Sequence, residues 1–277
     1  MGKQEKEINP PGKAKFKYYK NGKKKALTMS YDDGQLHDRR LVEIFNRYGI
    51  RGTFHLNSGN FDSGHLKSSE IKELYIGHEV SAHSLNHPFL TLLPREALVE
   101  EITEDRRRLE KLVGYPVRGM SYPFGDYNEE LLKALPGLGI EYSRTTQEHG
   151  RFSVPGNFLT WHPTCHHEQN LLEKCRQFKN RNPWDQLPLF YVWGHSFEFH
   201  RNNNWELIEE FCKVVSGDED VWYATNVEIM DYILAMRNLK FGVDRNFVMN
   251  PSAISVWIDV DGEAVEIKPG EQLQLSA

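Results

Sequence analysis

Extended and helical patterns alternate along the chain from residue 15 to about residue 226. Eight short apolar runs have the length and composition of β-strands, and helical patterns lie between them. The runs span residues 26–31, 52–57, 78–82, 119–122, 140–145, 159–164, 189–194 and 221–225. Repeated alternation of this kind predicts an α/β protein with a parallel sheet, either open or closed into a barrel.

Two helical segments carry clear boundary signals. The segment 94–113 begins with a proline, which suits a first helical turn, and Gly114 suits the position after its last turn. Asn128 can cap a second helix over 129–134, because two glutamates follow it in the first turn.

Residues with useful chemistry stand at or just after the ends of several predicted strands. Asp32 and Asp33 close the first apolar run, and His83, Phe124 and His195 follow three later runs. The carboxyl ends of the strands carry the active sites of barrel enzymes. This placement favours a closed barrel over an open sheet.

The spacing of two histidines indicates a metal site. His83 and His87 lie at positions i and i+4, which one helical turn would aim at a single point. Together with one aspartate they make a three-ligand site of the open, catalytic kind. The other aspartate is then left beside the metal, where a general base is needed.

Four segments in this order resemble motifs of the polysaccharide deacetylase family, also called the NodB-homology domain. They are Ser30-Tyr31-Asp32-Asp33-Gly34, His83-Ser84-Leu85-Asn86-His87, Tyr122-Pro123-Phe124-Gly125-Asp126-Tyr127-Asn128 and Val192-Trp193-Gly194-His195-Ser196. The resemblance extends from about residue 25 to residue 226. It implies a distorted barrel of seven β/α repeats in place of eight.

The resemblance also implies roles for individual residues. Asp33, His83 and His87 would bind one divalent ion, with zinc the expected metal. Asp32 would be the general base, and His195 would be the general acid. The backbone amide of Phe124 would be the oxyanion donor. The side chains of Tyr122, Trp161 and Trp193 are candidates for the walls of the substrate pocket. Either tryptophan could instead belong to the core.

The sequence does not identify two residues that assist the base and the acid in the family. The family often places an arginine, which braces the general base, at the position of Ser121, so Arg118 and Arg144 are alternatives. An acidic residue keeps the family's catalytic histidine protonated, and Glu198 and Asp185 are the nearby candidates.

The segment 161–167 contains three histidines and suggests a second metal site. Adjacent side chains on a strand point in opposite directions, so we expect His166 and His167 not to share an ion.

Composition excludes several other classes of protein. The net charge of −5 disfavours nucleic acid and anionic lipid as partners. The lysine run at 20–25 is interpreted as a solvated turn. The three cysteines form no C-x-x-C pair, and no run approaches the length of a membrane span. The first residues lack the apolar core of a signal peptide, which slightly favours a cytoplasmic location unless a leader has been removed.

The chain changes character after residue 239. Residues 240–277 contain short β-type runs and no long helix, and Asp261-Gly262 between two such runs predicts a hairpin. We interpret residues 1–239 as the barrel and 240–277 as a small β appendage. The appendage could bind carbohydrate or, as we favour, cover a surface of the barrel.

The expected function is a metal-dependent hydrolase that removes N-acetyl or O-acetyl groups from amino sugars in a polysaccharide or glycoconjugate.

One alternative is a mononuclear metal oxygenase with the same ligands. The β-α pattern disfavours this alternative, because such oxygenases commonly have antiparallel folds. Another is a non-catalytic glycan-binding relative, which the presence of Asp32 and all three ligands disfavours. A glycosidase is a weaker alternative, because adjacent carboxylates cannot flank a bond from opposite sides. The sequence leaves the glycan and the oligomeric state open.

Overall fold

A computed structural model describes residues 14–181 and 187–275 of the chain. The first described strand, β1 (Ala14–Lys15), belongs to a small sheet near the C-terminus. The central sheet has eight strands, and all of its pairings are parallel. They are β2 (Lys25–Asp32), β3 (Gly52–Leu56), β4 (Glu79–Ala82), β5 (Gly119–Ser121), β6 (Tyr142–Arg144), β7 (Cys165–His166), β8 (Leu189–His195) and β9 (Val221–Tyr223).

Seven of these strands follow the order β6-β5-β4-β3-β2-β8-β7, and the short β9 pairs with the first half of β2. The sheet curls until its two edges approach each other. Trp161 forms a bridge to Arg144 of β6, and a few residues later β7 pairs with β8. The curled parallel sheet with its surrounding helices confirms the predicted distorted barrel.

One predicted strand is wrong. Residues Phe158–Thr160 form a single 3₁₀ turn, and regular strand geometry begins only at Cys165. The side chain of Asn157 accepts a hydrogen bond from the Leu159 backbone N–H and caps this turn. Pro163 lacks the N–H that a strand would use, so the segment pairs with its neighbours only intermittently.

Helices pack around the outside of the sheet and beneath it. They are α1 (Asp38–Tyr48), α2 (Ile71–Leu74), α3 (Arg95–Val113), α4 (Glu129–Ala134), α5 (Leu171–Lys179), α6 (Ser196–Arg201), α7 (Trp205–Val215) and α8 (Asn226–Arg237). Both predicted helix boundaries are confirmed. Gly114 ends α3 in the left-handed conformation at φ 81°, and Asn128 Oδ1 accepts from the Leu131 N–H at 2.8 Å. None of the helices in the described ranges is both long and apolar enough to cross a membrane.

The strand β2 lies at the centre of the molecule, and all of its residues are buried. One hydrophobic cluster fills the space between the sheet and the outer helices and includes Leu27 and Met29. A second cluster lies inside and below the barrel, where Ala26 shares it with α8. Burial of both faces is expected of a parallel strand.

The C-terminal part of the described chain forms two three-stranded antiparallel sheets. Their strands are β10 (Lys240–Phe241), β11 (Phe247–Met249), β12 (Val256–Val260), β13 (Glu263–Ile267) and β14 (Gln272–Gln274), with β1 pairing to β12. The predicted hairpin is confirmed, and both turn residues, Asp261 and Gly262, have positive φ. Ile258 packs in the second hydrophobic cluster with α8. The division into two domains stays a prediction, and residues 1–13 lie outside the described ranges.

Candidate active site

The carboxyl end of β2 brings two aspartates to the rim of the barrel. Asp32 is the last residue of the strand and is in register with His55 on β3 and with His195 on β8. Asp33 follows in the left-handed conformation at φ 79°, with its N–H donated to the His55 carbonyl at 2.9 Å. This conformation is unfavourable for a residue with a Cβ, and such strain is concentrated at functional sites.

Asp33, His83 and His87 converge on one point. Asp33 Oδ1 lies 3.6 Å from His83 Nε2 and 3.8 Å from His87 Nε2. The three ligand atoms all lie within 4.8 Å of one another. The structure therefore brings together the three residues that the sequence nominated as metal ligands.

The backbone between His83 and His87 does not form the predicted helical turn. The segment 83–87 is a loop at the end of β4, and Ser84 and His87 have φ of 62° and 59°. The Asn57 side chain donates to the carbonyls of His83 and Ser84, and Asp105 accepts from the His83 N–H at 3.1 Å. These side chains form hydrogen bonds with backbone groups of the segment and so compete with the backbone hydrogen bonds of a helix. They stabilise the loop in a non-helical conformation.

The protonation state of His83 suits a divalent cation. Its Nδ1 lies 2.9 Å from the carbonyl oxygen of Ser121, an acceptor, so Nδ1 carries the proton and the Nε2 lone pair faces Asp33. Burial lowers the pKa of His83, although Asp32 and Asp33 oppose this effect. One carboxylate and two neutral imidazoles are a suitable donor set for zinc.

Asp32 is held as an ionised carboxylate next to this cluster. It is 2% exposed, forms an ion pair with Arg144, and accepts a hydrogen bond from Ser121 Oγ at 3.1 Å. Burial alone would raise the pKa of Asp32, but the Arg144 guanidinium together with His83, His55 and His195 outweighs burial and holds that pKa well below its usual range. Arg144 is therefore the arginine that contacts the candidate base. Arg118 instead pairs with Asp231 at 2.7 Å.

His195 is paired with Glu198. Its Nδ1 lies 3.3 Å from Glu198 Oε2, and its backbone N–H donates to the same oxygen at 3.0 Å. Burial lowers the pKa of His195, but Glu198, Asp32 and Asp33 together raise it above the ordinary value. Glu198 is thus the acidic partner that the sequence left open. The other candidate, Asp185, lies outside the described residues.

Phe124 is placed next to the metal-ligand cluster in a strained conformation. Its backbone φ is 58°, and 56% of the residue is exposed. Its ring lies 4.4 Å from the His87 ring and stacks on Phe89 at 4.0 Å between centroids. The assignment of its backbone amide as oxyanion donor stays a prediction. The exposed Phe89–Phe124 pair was not foreseen.

The other three aromatic residues predicted to line the substrate pocket lie in different surroundings. Trp193 is at the site, where the Arg144 guanidinium lies 4.4 Å from its ring centre and its Nε1 donates to Glu148 at 3.1 Å. Trp161 and Tyr122 are 0% and 1% exposed, so neither side chain lines an open pocket. Trp161 packs edge-on against core aromatic rings, and the Tyr122 hydroxyl donates to a backbone carbonyl, which explains their burial.

The expectation that His166 and His167 point apart is wrong. Their ring centroids lie 4.4 Å apart, and their Nε2 atoms are 3.0 and 3.5 Å from Glu198 Oε2. The strand β7 ends at His166, so His167 lies beyond the part of the chain to which strand alternation applies. The three residues form a second cluster of ligand atoms within 4.8 Å of one another.

Sequence reasoning also missed Asp105, which supports the metal-ligand loop. Asp105 is 0% exposed and accepts from the backbone N–H groups of Ser58 and His83. A signal was present in the sequence, because Asp105 lies at helical spacing among the buried apolar residues of α3. A charged residue on the apolar face of a helix is rarely buried without a partner.

Sequence comparison finds that part of the chain is similar to known deacetylases. Residues 19–143 match the family model for polysaccharide deacetylase. YxkH of Bacillus subtilis, described as a polysaccharide deacetylase, is 25% identical over 131 residues, which are 46% of this chain and 47% of YxkH. The peptidoglycan-N-acetylglucosamine deacetylase PgdA of Listeria monocytogenes is 26% identical over 127 residues, which are 45% of this chain and 27% of PgdA. The matches thus span less than half of either relative.

Comparison with solved structures agrees on the fold. A crystal structure from Mycobacterium smegmatis, described as that of a polysaccharide deacetylase, matches with a TM-score of 0.60 at 18% identity. The match covers 82% of this chain and 94% of that protein. The ordered motifs and the match over residues 19–143 agree that this part of the chain is similar to the polysaccharide deacetylase family, and the solved structure shares the fold.

Proposed function

We propose that this protein is a zinc-dependent deacetylase that hydrolyses the acetamide of N-acetylated amino sugars in a glycan. The main support is the arrangement at the end of β2. There Asp32, ionised by its contact with Arg144, adjoins the Asp33–His83–His87 cluster and is in register with His195. Base, cation ligands and acid are thus grouped on one rim of the barrel.

Hydrolysis of an acetamide needs an activated water, stabilisation of the tetrahedral oxyanion, and a proton for the departing amine. A divalent ion held by Asp33, His83 and His87 supplies acidification of a water and polarisation of the acetyl carbonyl. Asp32 accepts the proton of the attacking water, and Arg144 and Ser121 keep the Asp32 carboxylate oriented.

His195 donates the proton that allows the amine to leave. Glu198 stabilises the imidazolium form, and the raised pKa of His195 keeps it protonated over a wider range of pH. The backbone N–H of Phe124 is the proposed second donor to the oxyanion. Asp32 and His195 are register partners on the neighbouring strands β2 and β8, so the base and the acid lie side by side at the same rim of the barrel.

The choice of an N-acetylated amino sugar draws on two observations. PgdA, which is 26% identical to this chain over 127 residues, is named as a deacetylase of peptidoglycan N-acetylglucosamine. In this chain the exposed Phe89–Phe124 pair provides an apolar surface next to His87, where a sugar ring can pack.

The test is amine release from a panel of substrates by protein reconstituted with zinc. Chitin oligosaccharides, peptidoglycan fragments and monomeric N-acetylglucosamine are compared with acetylated xylan, which carries O-acetyl groups only. We expect activity on an N-acetylated substrate, loss after removal of zinc by a chelator, and recovery when zinc returns. Absence of amine release from every N-acetylated substrate, with zinc bound, would contradict the proposal.

A further inference from the structure

The carboxylate of Glu198 is surrounded by histidine nitrogens. Its Oε2 lies 3.0 Å from His166 Nε2, 3.5 Å from His167 Nε2 and 3.3 Å from His195 Nδ1. In a tetrahedral zinc site, bonds of about 2.0–2.1 Å place neighbouring ligand atoms about 3.3 Å apart. The spacing around Glu198 Oε2 is therefore close to that of ligands around a cation.

Hydrogen bonding explains only part of this arrangement. Within residues 14–181 and 187–275, His167 is 0% exposed and neither of its ring nitrogens has a hydrogen-bond partner. His195 Nδ1 also lacks a partner with hydrogen-bond geometry, although it faces Glu198. Buried polar atoms without partners are rare and call for an explanation such as an unseen ion.

We propose that His166, His167 and Glu198 form a second transition-metal site, separate from Asp33, His83 and His87. Two imidazoles and one carboxylate suit zinc and similar ions, not magnesium or calcium, which prefer oxygen ligands. His195 Nδ1 is within reach as a fourth ligand. The two sites share no ligand.

One existing contact must change when a cation binds. His166 Nδ1 accepts a hydrogen bond from the Glu168 N–H at 3.2 Å, which places the imidazole proton on Nε2. Coordination through Nε2 requires that proton to move to Nδ1, so the Glu168 N–H must turn away. Glu168 is exposed and lies in a turn, where its N–H can bond to water.

Occupation of this site would act on the proposed reaction, and this step rests on the proposed function. A cation at this site takes the Glu198 oxygen that lies 3.3 Å from His195 Nδ1, and coordination of His195 Nδ1 would tie the side chain proposed as the acid to the second site. Zinc at the second site is therefore inhibitory, whereas zinc at Asp33, His83 and His87 is required.

The first test counts zinc and does not depend on activity. The chain is stripped with a chelator, saturated with zinc, passed through a desalting column and analysed for metal. We expect two ions in the wild type, one in His166→Gln, one in His87→Gln and none in the double variant. His149→Gln, which alters a histidine outside both clusters, serves as the matched control and should keep two.

Three results would overturn the second site. These are a single ion in the saturated wild type, two ions in His166→Gln, or loss of both ions in His87→Gln. Circular dichroism and gel filtration verify the fold of each variant, and Glu198→Gln replaces His166→Gln if the latter aggregates.

The second test measures the deacetylation rate with one equivalent and with an excess of zinc. We expect excess zinc to slow the wild type at least tenfold and to change the His166→Gln rate by less than twofold. Equal inhibition of both proteins would contradict the inhibitory role. Absence of any deacetylation would contradict the proposed function and leave the zinc count to decide the second site.

Discussion

Asp32 and Asp33 are chemically identical neighbours whose surroundings give them different properties. Asp32 is almost fully buried and contacts Arg144, while Asp33 turns into the left-handed conformation and faces His83 and His87. An ion pair with Arg144 disfavours protonation of Asp32 in the resting state.

Replacing each aspartate by asparagine separates these roles. Asp32→Asn should retain about one zinc at the first site but lose activity by roughly 10²–10⁴-fold, because an amide cannot accept the proton of water. Asp33→Asn should lose the first zinc itself. Metal analysis and amine release on the two folded variants distinguish the outcomes. If Asp32→Asn loses the first zinc and Asp33→Asn keeps it, the assigned roles are reversed.

The role of His195 predicts a particular dependence on pH. Its pKa is raised, so the acid form persists to higher pH, and the rate should fall as pH rises through that pKa. His195→Ala should lower turnover by about 10²-fold or more on an N-acetyl substrate and should abolish this alkaline decline. The measurement is a pH–rate profile for wild type and variant.

An activated acetate ester is the control substrate for His195→Ala, because its leaving group departs without protonation. We expect a smaller loss on the ester than on the amide. Equal losses on both substrates would show that His195 shapes the site without donating a proton. His162, His166 and His167 would then be tested as the acid.

At the scale of elements, the metal-ligand loop depends on the neighbouring helix α3. Asp105 on this helix accepts from the backbone N–H groups of His83 at the end of β4 and Ser58 after β3. Its two carboxylate oxygens thus connect three elements. The loop between His83 and His87 contains two residues with positive φ, and such strain persists only where surrounding contacts enforce it.

Asp105→Asn should weaken both stability and zinc binding. The amide keeps one acceptor oxygen and replaces the other with an NH₂ group, so one of the two contacts with the backbone N–H groups of Ser58 and His83 becomes a contact between two donors, at a cost of about 1–3 kcal/mol. Thermal unfolding and competition with a zinc chelator provide the measurements. Glu104→Gln, on the exposed side of the same helix, should behave like the wild type. Unchanged zinc affinity in Asp105→Asn would show that the loop holds its shape without this contact.

At the scale of the whole molecule, the C-terminal sheet that contains β12 and β13 lies near the amino end of β2, away from the rim that carries Asp32 and Asp33. The strands β12 and β13 contact the turn Lys20–Gly22 just before β2, and β12 packs against α8. Ile258 of β12 is 0% exposed within this apolar contact. This placement agrees with a covering role for the appendage.

Ile258→Ala should therefore lower the free energy of unfolding by about 2–5 kcal/mol, the usual cost of truncating a buried aliphatic side chain. Zinc content per folded chain and activity on a soluble substrate should stay unchanged below the melting temperature. Val243→Ala is the control, because Val243 is fully exposed and should leave the unfolding transition in place. A loss of activity without a loss of stability would indicate that the appendage takes part in substrate binding.

The sequence determined the fold class and the candidate residues of the first metal site, partly by its local pattern and partly by its resemblance to a family. Strand and helix periodicity depend on which side chains face the core, so the parallel α/β sheet, both tested helix boundaries and the Asp261-Gly262 hairpin could be predicted, and the resemblance implied the distorted barrel. Aspartates and histidines at strand ends indicated one site, because parallel strands bring their carboxyl ends to one rim, and the family resemblance implied that Asp33 is the aspartate that accompanies His83 and His87.

Only the tertiary structure decided which distant residues meet. Arg144 and Arg118 are equally plausible in the sequence, and only the curl of the sheet brings Arg144 of β6 across to Asp32 of β2, four strands away in the sheet order. His166 and His167 were expected to diverge, yet the end of β7 lets both approach Glu198 on α6. The physical reason is that periodicity describes contacts within an element. Pairings between elements depend on where each strand ends and on which buried charges must find partners.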